Sequence, residues 1–121
     1  MNKIFIDGGT YKNRICLVDG NKTIIKEKGK DYTNNELEYL ALQYGLSYVN
    51  NNYSKENIVI YSDSMLIVNQ ITGKWRVTTE KLIPLHAKCD KLLKPNIIIK
   101  WISRDFNRAG WVLDELLKTK S

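Results

Sequence analysis

The chain has 121 residues, 43% apolar and 26% charged, which suits a single folded domain over residues 1–121 and excludes a disordered or fibrous chain. No apolar run approaches the length that crosses a bilayer, and the N-terminus leads straight into a strand pattern without a signal-like core, so the expected location is cytoplasmic. A net charge of +6 favours a polyanionic partner, while one histidine and two distant cysteines, Cys16 and Cys89, argue against a transition-metal site and leave only a hard cation on carboxylates.

Ile4-Phe5-Ile6-Asp7-Gly8-Gly9 predicts an apolar strand that ends in an acid, with two glycines where a backbone can come close to a ligand. Arg14 to Val18 and Thr23 to Lys28 flank Asp19-Gly20-Asn21-Lys22, a strong hairpin signal. The first three strands therefore predict an antiparallel meander, with Lys26, Lys28 and Lys30 on an exposed edge. Thr33 or Asn34 can cap a long helix, with an acid nearby as in a capping box. Leu37, Leu40, Ala41, Tyr44 and Tyr48 form its core stripe, and Asn50-Asn51-Asn52 is expected to end it in a polar loop. Glu38 borders that stripe, a costly place for an acid that nothing pairs.

Asn57-Ile58-Val59-Ile60-Tyr61-Ser62-Asp63-Ser64 predicts a strand buried on both faces that also ends in an acid. Taken alone, Asp63 reads as a helix cap; a helix follows from Met65 to Ile71, with Gly73 as its stop. Thr78-Thr79-Glu80 predicts the start of another helix, which carries His86 as a structural or surface residue and runs to Pro95. Asn96 to Ile102 predicts the last strand, Arg104-Asp105-Phe106-Asn107 a loop, and Arg108 to Lys118 the final helix. The order is β-β-β-α-β-α-α-β-α. If the first and fourth strands are neighbours, Asp7 and Asp63 lie side by side and the intervening helix brings Glu38 over both. Such a cluster repels itself unless cations neutralise it, and oxygen-only ligation suits Mg²⁺ or Mn²⁺. Two such ions about 4 Å apart clamp the attacking and leaving oxygens of a phosphodiester displacement.

In this order and spacing, Ile6-Asp7-Gly8-Gly9, Thr33 to Glu38, Ile60 to Ser64, Gln70 to Trp75 and Arg104 to Asn107 resemble the ribonuclease H family of the type 1 fold, over nearly the whole chain. The resemblance implies an α/β fold, with a five-stranded mixed sheet made of an antiparallel meander plus two parallel strands, flanked by helices. It implies a metal-dependent endonuclease that hydrolyses the RNA strand of RNA–DNA hybrids to 5′-phosphate and 3′-hydroxyl products, probing the hybrid as a monomer. Asp7, Glu38 and Asp63 match three metal-binding, catalytic carboxylates, and the expected cofactor is Mg²⁺ or Mn²⁺, as two ions. Asn34 and Asn35 match the pair that contacts ribose, where the 2′-hydroxyl marks RNA. Gly8, Asn13, Ser64, Lys74 and Trp75 complete the expected nucleic-acid contacts.

The fourth acid departs from the pattern. Counting from Asn107 gives Trp111 and aligning on Ala109 gives Gly110, neither an acid; Asp114, one helical turn on, is the expected substitute as a catalytic metal ligand. The loop before the last helix is short and lacks a histidine, and the basic protrusion of some family members is missing. Two alternatives stay open: a hybrid-binding domain impaired in catalysis, and a related nuclease acting on another nucleic acid.

Overall fold

A computed structural model describes residues 2–118. One five-stranded sheet runs through it in the order β3-β2-β1-β4-β5. Its strands are β1 (Asn2–Gly9), β2 (Arg14–Asp19), β3 (Lys22–Glu27), β4 (Ile58–Ser62) and β5 (Ile97–Trp101). The first three pair antiparallel, while β1–β4 and β4–β5 are parallel, as expected from the sequence. The helices are α1 (Asn34–Asn52), α2 (Met65–Ile71), α3 (Ile83–Leu92) and α4 (Arg108–Lys118), with short 3₁₀ turns at Tyr11–Asn13 and Arg104–Phe106.

Two apolar layers cover the sheet, and strand alternation decides which residue joins which. Ile4 and Ile6 of β1 pack with Leu37, Leu42 and Leu46 of α1, together with Ile67 of α2 and Cys89 of α3. Phe5 points to the other face, with Cys16, Val18, and Ala109 and Leu113 of α4. Asp7 follows Phe5 by two positions and so projects toward the α4 face. The central strand is thus buried on both sides, which explains its unbroken apolar run.

The hairpin forms with Asp19 paired to Lys22 across Gly20-Asn21, and Gly20 takes the left-handed φ of 59° that this turn needs. Thr33 caps α1, with Glu36 completing the reciprocal capping box. The larger differences from the sequence expectation lie in α1 and α3. Asn50, Asn51 and Asn52 lie in the last turn of α1 rather than in a loop; Asn50 donates to the carbonyl of Leu92 and Asn52 to that of Tyr48. The helix expected from Thr78-Thr79-Glu80 starts only at Ile83, where Pro84 takes the first turn, the place in a helix where its missing N–H does no harm.

Among the described residues, no helix is long and apolar enough to cross a membrane. Cys16 and Cys89 are both buried free thiols. His86 reaches the carbonyl of Gln70 at 3.2 Å and packs edge-on to Tyr39, a structural position.

Candidate active site

Parallel pairing of β1 with β4 sets Phe5 opposite Tyr61. Continuing that register by two residues brings Asp7 beside Asp63 at the carboxyl ends of two adjacent strands, where open α/β sheets hold their chemistry. α1 crosses this edge and supplies Glu38. One carboxylate oxygen from each of Asp7, Glu38 and Asp63 lies within 4.8 Å of the others.

Each acid is held by a separate local cause. Gly8 brings β1 against α1: a Cβ there would lie 2.5 Å from the carbonyl carbon and oxygen of Leu37. That approach lets the Gly8 N–H donate to Glu38 Oε1 at 2.9 Å. Asp63 is free to face the cleft because it does not cap α2. Ser64 does that, accepting from the N–H of Ile67 at 3.2 Å. Asn107 then fixes Asp63, donating to its Oδ2 at 2.7 Å and to the carbonyl of Ile6 at 3.0 Å. Its own Oδ1 accepts from the N–H of Ala109 in the first turn of α4, so one fully buried amide joins β1, the end of β4 and α4.

Arg104 lies across the cluster. Its Nη1 is 3.0 Å from both Asp7 Oδ2 and Asp63 Oδ2, and its Nη2 is 3.0 Å from Asp114 Oδ1. Asp7 is only 1% exposed, and its Oδ1 has no hydrogen-bond partner among the described residues. Burial, with the charge of Asp63 added, pushes the Asp7 carboxyl up to about 7 even though Arg104 opposes the shift. Burial, then the charges of Asp7 and Asp63, raise Glu38 well above the usual carboxylate range. For Arg104, burial works against the charge, but Asp7 and Asp63 outweigh it and hold the guanidinium charged.

The cleft is lined by Asp7, Gly8, Asn34, Glu38, Asp63, Arg104 and Asp114, among others. Asn34 and Asn35 are exposed at the start of α1, and because Thr33 is the cap their side chains are released from that duty. Asp114 is brought to the cleft but meets Arg104 rather than the three clustered acids. Asn13 turns toward the approach to α1: its Nδ2 lies 3.3 Å from Asp31 and its Oδ1 accepts from the N–H of Tyr32 at 3.4 Å. Ser64 spends its hydroxyl on the α2 cap. Lys74 and Trp75 are exposed after Gly73 and line a separate depression with Gln70, Arg76 and His86. Sequence reasoning missed Arg104 and Asn107 as site residues; the available signal was their place just beyond the last strand, on the same sheet edge as Asp7 and Asp63.

A family model described as reverse transcriptase-like matches residues 15–113, a span that holds Glu38 and Asp63 and leaves Asp7 just outside. Among solved structures, LC11-RNase H1, isolated from compost by a metagenomic approach, aligns at 27% identity with a TM-score of 0.77, over 96% of this chain and 97% of that one. LC11-RNase H1 in complex with an RNA/DNA hybrid aligns at 25% identity with a TM-score of 0.78, over 97% of this chain and 99% of that one. RNase H1 from the halophilic archaeon Halobacterium salinarum aligns at 24% identity with a TM-score of 0.76, over 98% of both chains.

Proposed function

This chain belongs to the reverse transcriptase-like family and carries the ribonuclease H fold, and on that premise we propose that it is a divalent-cation-dependent endonuclease cutting the RNA strand of RNA–DNA hybrids to 5′-phosphate and 3′-hydroxyl ends. The observation that carries the reading is Asp7: a buried carboxylate at the cleft beside Glu38 and Asp63, one of whose oxygens has no hydrogen-bond partner among the described residues. Three carboxylates this close repel one another, and the single guanidinium of Arg104 offsets only part of their charge, which a divalent cation would complete. The donor set is all oxygen, which fits Mg²⁺ or Mn²⁺ and fits zinc or copper poorly.

When bound, a divalent cation supplies the positive charge that eases loss of a proton from water and offsets charge building on the phosphate. The chain's own residues do the rest. Asp7, Glu38 and Asp63 hold the cation; Asn107 fixes the rotamer of Asp63 and Gly8 that of Glu38. Asn34 and Asn35, exposed beside the cleft, are suited to the ribose edge of an RNA strand, since an amide both donates to and accepts from a 2′-hydroxyl. Lys74 and Trp75 are suited to the companion DNA strand, one by charge and one by its aromatic face. The excess of basic residues supports backbone binding that weakens with salt. The free thiols of Cys16 and Cys89 suit a reducing compartment such as the cytoplasm, with the residues 1–121 acting as one monomeric domain.

A second reading, hybrid binding without turnover, draws on one observation: Arg104 already neutralises part of the cluster. Incubating a labelled RNA–DNA hybrid with Mg²⁺ or Mn²⁺ separates the two. Cleavage confined to the RNA strand, lost in Asp63→Asn, supports the nuclease. Binding without cleavage under either ion supports the second reading. Preferential cutting of duplex or branched DNA would sink both.

A further inference from the structure

The geometry points to Arg104 as a built-in counterpart of a second cation: the acid cluster takes one divalent ion on the side of Asp7 Oδ1 and Glu38, and the guanidinium permanently occupies the opposite side, between Asp7, Asp63 and Asp114. The inference rests on the metal site proposed above and specifies how many ions that site holds.

The two oxygens of Asp7 divide the cluster. Oδ2 accepts from Arg104 at 3.0 Å, whereas Oδ1 is buried without a partner among the described residues. Glu38, its Oε1 held by the N–H of Gly8, makes no ion pair with Arg104 among the described residues. On the claimed side, a single nitrogen of Arg104 is shared at 3.0 Å by two carboxylates, the bridging position of a cation, and its second terminal nitrogen reaches Asp114 at 3.0 Å. Asp114 therefore serves this site by anchoring the guanidinium.

A space in α4 accommodates the arginine. Gly110 is buried, and a Cβ at that position would lie 3.1 Å from the Cζ and Nη1 of Arg104 and 3.3 Å from its Nε. A side chain here would crowd the guanidinium, and a carboxylate would take over its neighbours. Charge accounts for the exchange. One carboxylate plus one divalent ion carry a single net positive charge, and a glycine plus a guanidinium carry the same. Unlike a bound ion, the arginine stays charged at every working pH and does not dissociate.

The test is the number of Mn²⁺ ions bound by the full chain without nucleic acid, read by titration calorimetry and by the electron paramagnetic resonance of free Mn²⁺. Wild type is expected to bind one ion. Arg104→Gln, which leaves the claimed side uncompensated, is expected to bind two, with the tighter ion held at least about tenfold more strongly. Arg104→Lys keeps a cation and is expected to bind one; it also guards against misreading a folding defect in the glutamine variant. Two ions in wild type, or one ion in Arg104→Gln with unchanged affinity, would overturn the inference. Hybrid cleavage measured on the same preparations separates this failure from that of the nuclease reading. The expected ion counts without cleavage support the role of Arg104 and reject the nuclease. Cleavage with two ions in wild type does the reverse, and no Mn²⁺ bound by any of the proteins overturns both.

Discussion

The backbone N–H of Gly8 donates to Oε1 of Glu38 at 2.9 Å, so the end of a strand sets the carboxylate of a helix. This contact requires a residue without a side chain, since a Cβ at Gly8 would lie 2.5 Å from the Leu37 backbone. Backbone cannot swing aside as a flexible side chain can. Gly8→Ala is expected to destabilise the fold by about 1–3 kcal/mol and to weaken divalent binding by moving Glu38. Gly9→Ala is the control, because its Cβ would meet only Leu113 Cδ1 at an ordinary 3.7 Å; its stability should stay within about 0.5 kcal/mol of wild type. Urea denaturation of the two variants checks the contrast.

Asp63 and Ser64 are neighbours with separate jobs, one facing the cleft and the other capping α2. Asp63→Asn should therefore keep the wild-type circular dichroism while hybrid cleavage drops by roughly a thousandfold or more, about 4 kcal/mol of barrier. Ser64→Ala should do the opposite, losing about 1 kcal/mol of stability with a much smaller effect on rate. A thermally unstable Asp63→Asn with substantial residual activity would contradict this division.

The raised carboxyls give the metal-free protein a pH dependence of definite sign. Asp7 keeps its proton up to about 7 in the folded state, against 3.8 ordinarily. Between those values the folded chain holds more protons than the unfolded chain, so stability falls as pH rises and levels off above about 7. Glu38 acts in the same direction. For Asp7 the whole fall is on the order of 4 kcal/mol. A divalent cation competes with the proton, so its affinity should rise with pH through the same window. Thermal unfolding with chelator should show a lower midpoint at pH 8 than at pH 5, and Mn²⁺ should shrink the gap. A chelated protein that gains stability toward pH 8 would refute the assignment.

Asn34 and Asn35 are exposed, with Thr33 serving as the cap of α1. Replacing either with alanine should leave stability within about 0.5 kcal/mol. Each replacement should reduce the preference for a hybrid over a DNA duplex by roughly tenfold, about 1.4 kcal/mol. Thr33→Ala should cost about 1 kcal/mol of stability without altering that preference. Competition binding at fixed salt reads the ratio directly.

Much of this architecture is written in short-range patterns. Ile58, Val59 and Ile60 mark a strand covered on both faces, and all three are buried. Asp19-Gly20 marks the hairpin, and Thr33 with Glu36 marks a capped helix. Such signals are local because the physics behind them is local. Arg104 and Asn107 differ: Arg104 meets Asp7 across 97 positions of chain, and Asn107 meets Ile6 across 101. No periodicity or cap links residues so far apart; the sheet order does, and only once folded. The same is true of Asp114, whose position on α4 is evident from spacing but whose partner is not. The late start of α3 has a simpler reason. Thr78-Thr79-Glu80 offers good caps, but Pro84 fits the first turn of the helix, and that later position is the start the chain adopts.

Because the cap of α2 resides in Ser64 rather than in Asp63, chemistry and architecture can be edited independently at this corner. On the proposed function, an amide at position 63 is expected to give a folded protein that still binds the hybrid and leaves it uncut. Immobilised or fused to a fluorophore, such a variant would then serve as a reagent for capturing and imaging RNA–DNA hybrids, with the intact parent as the eraser that proves what was caught.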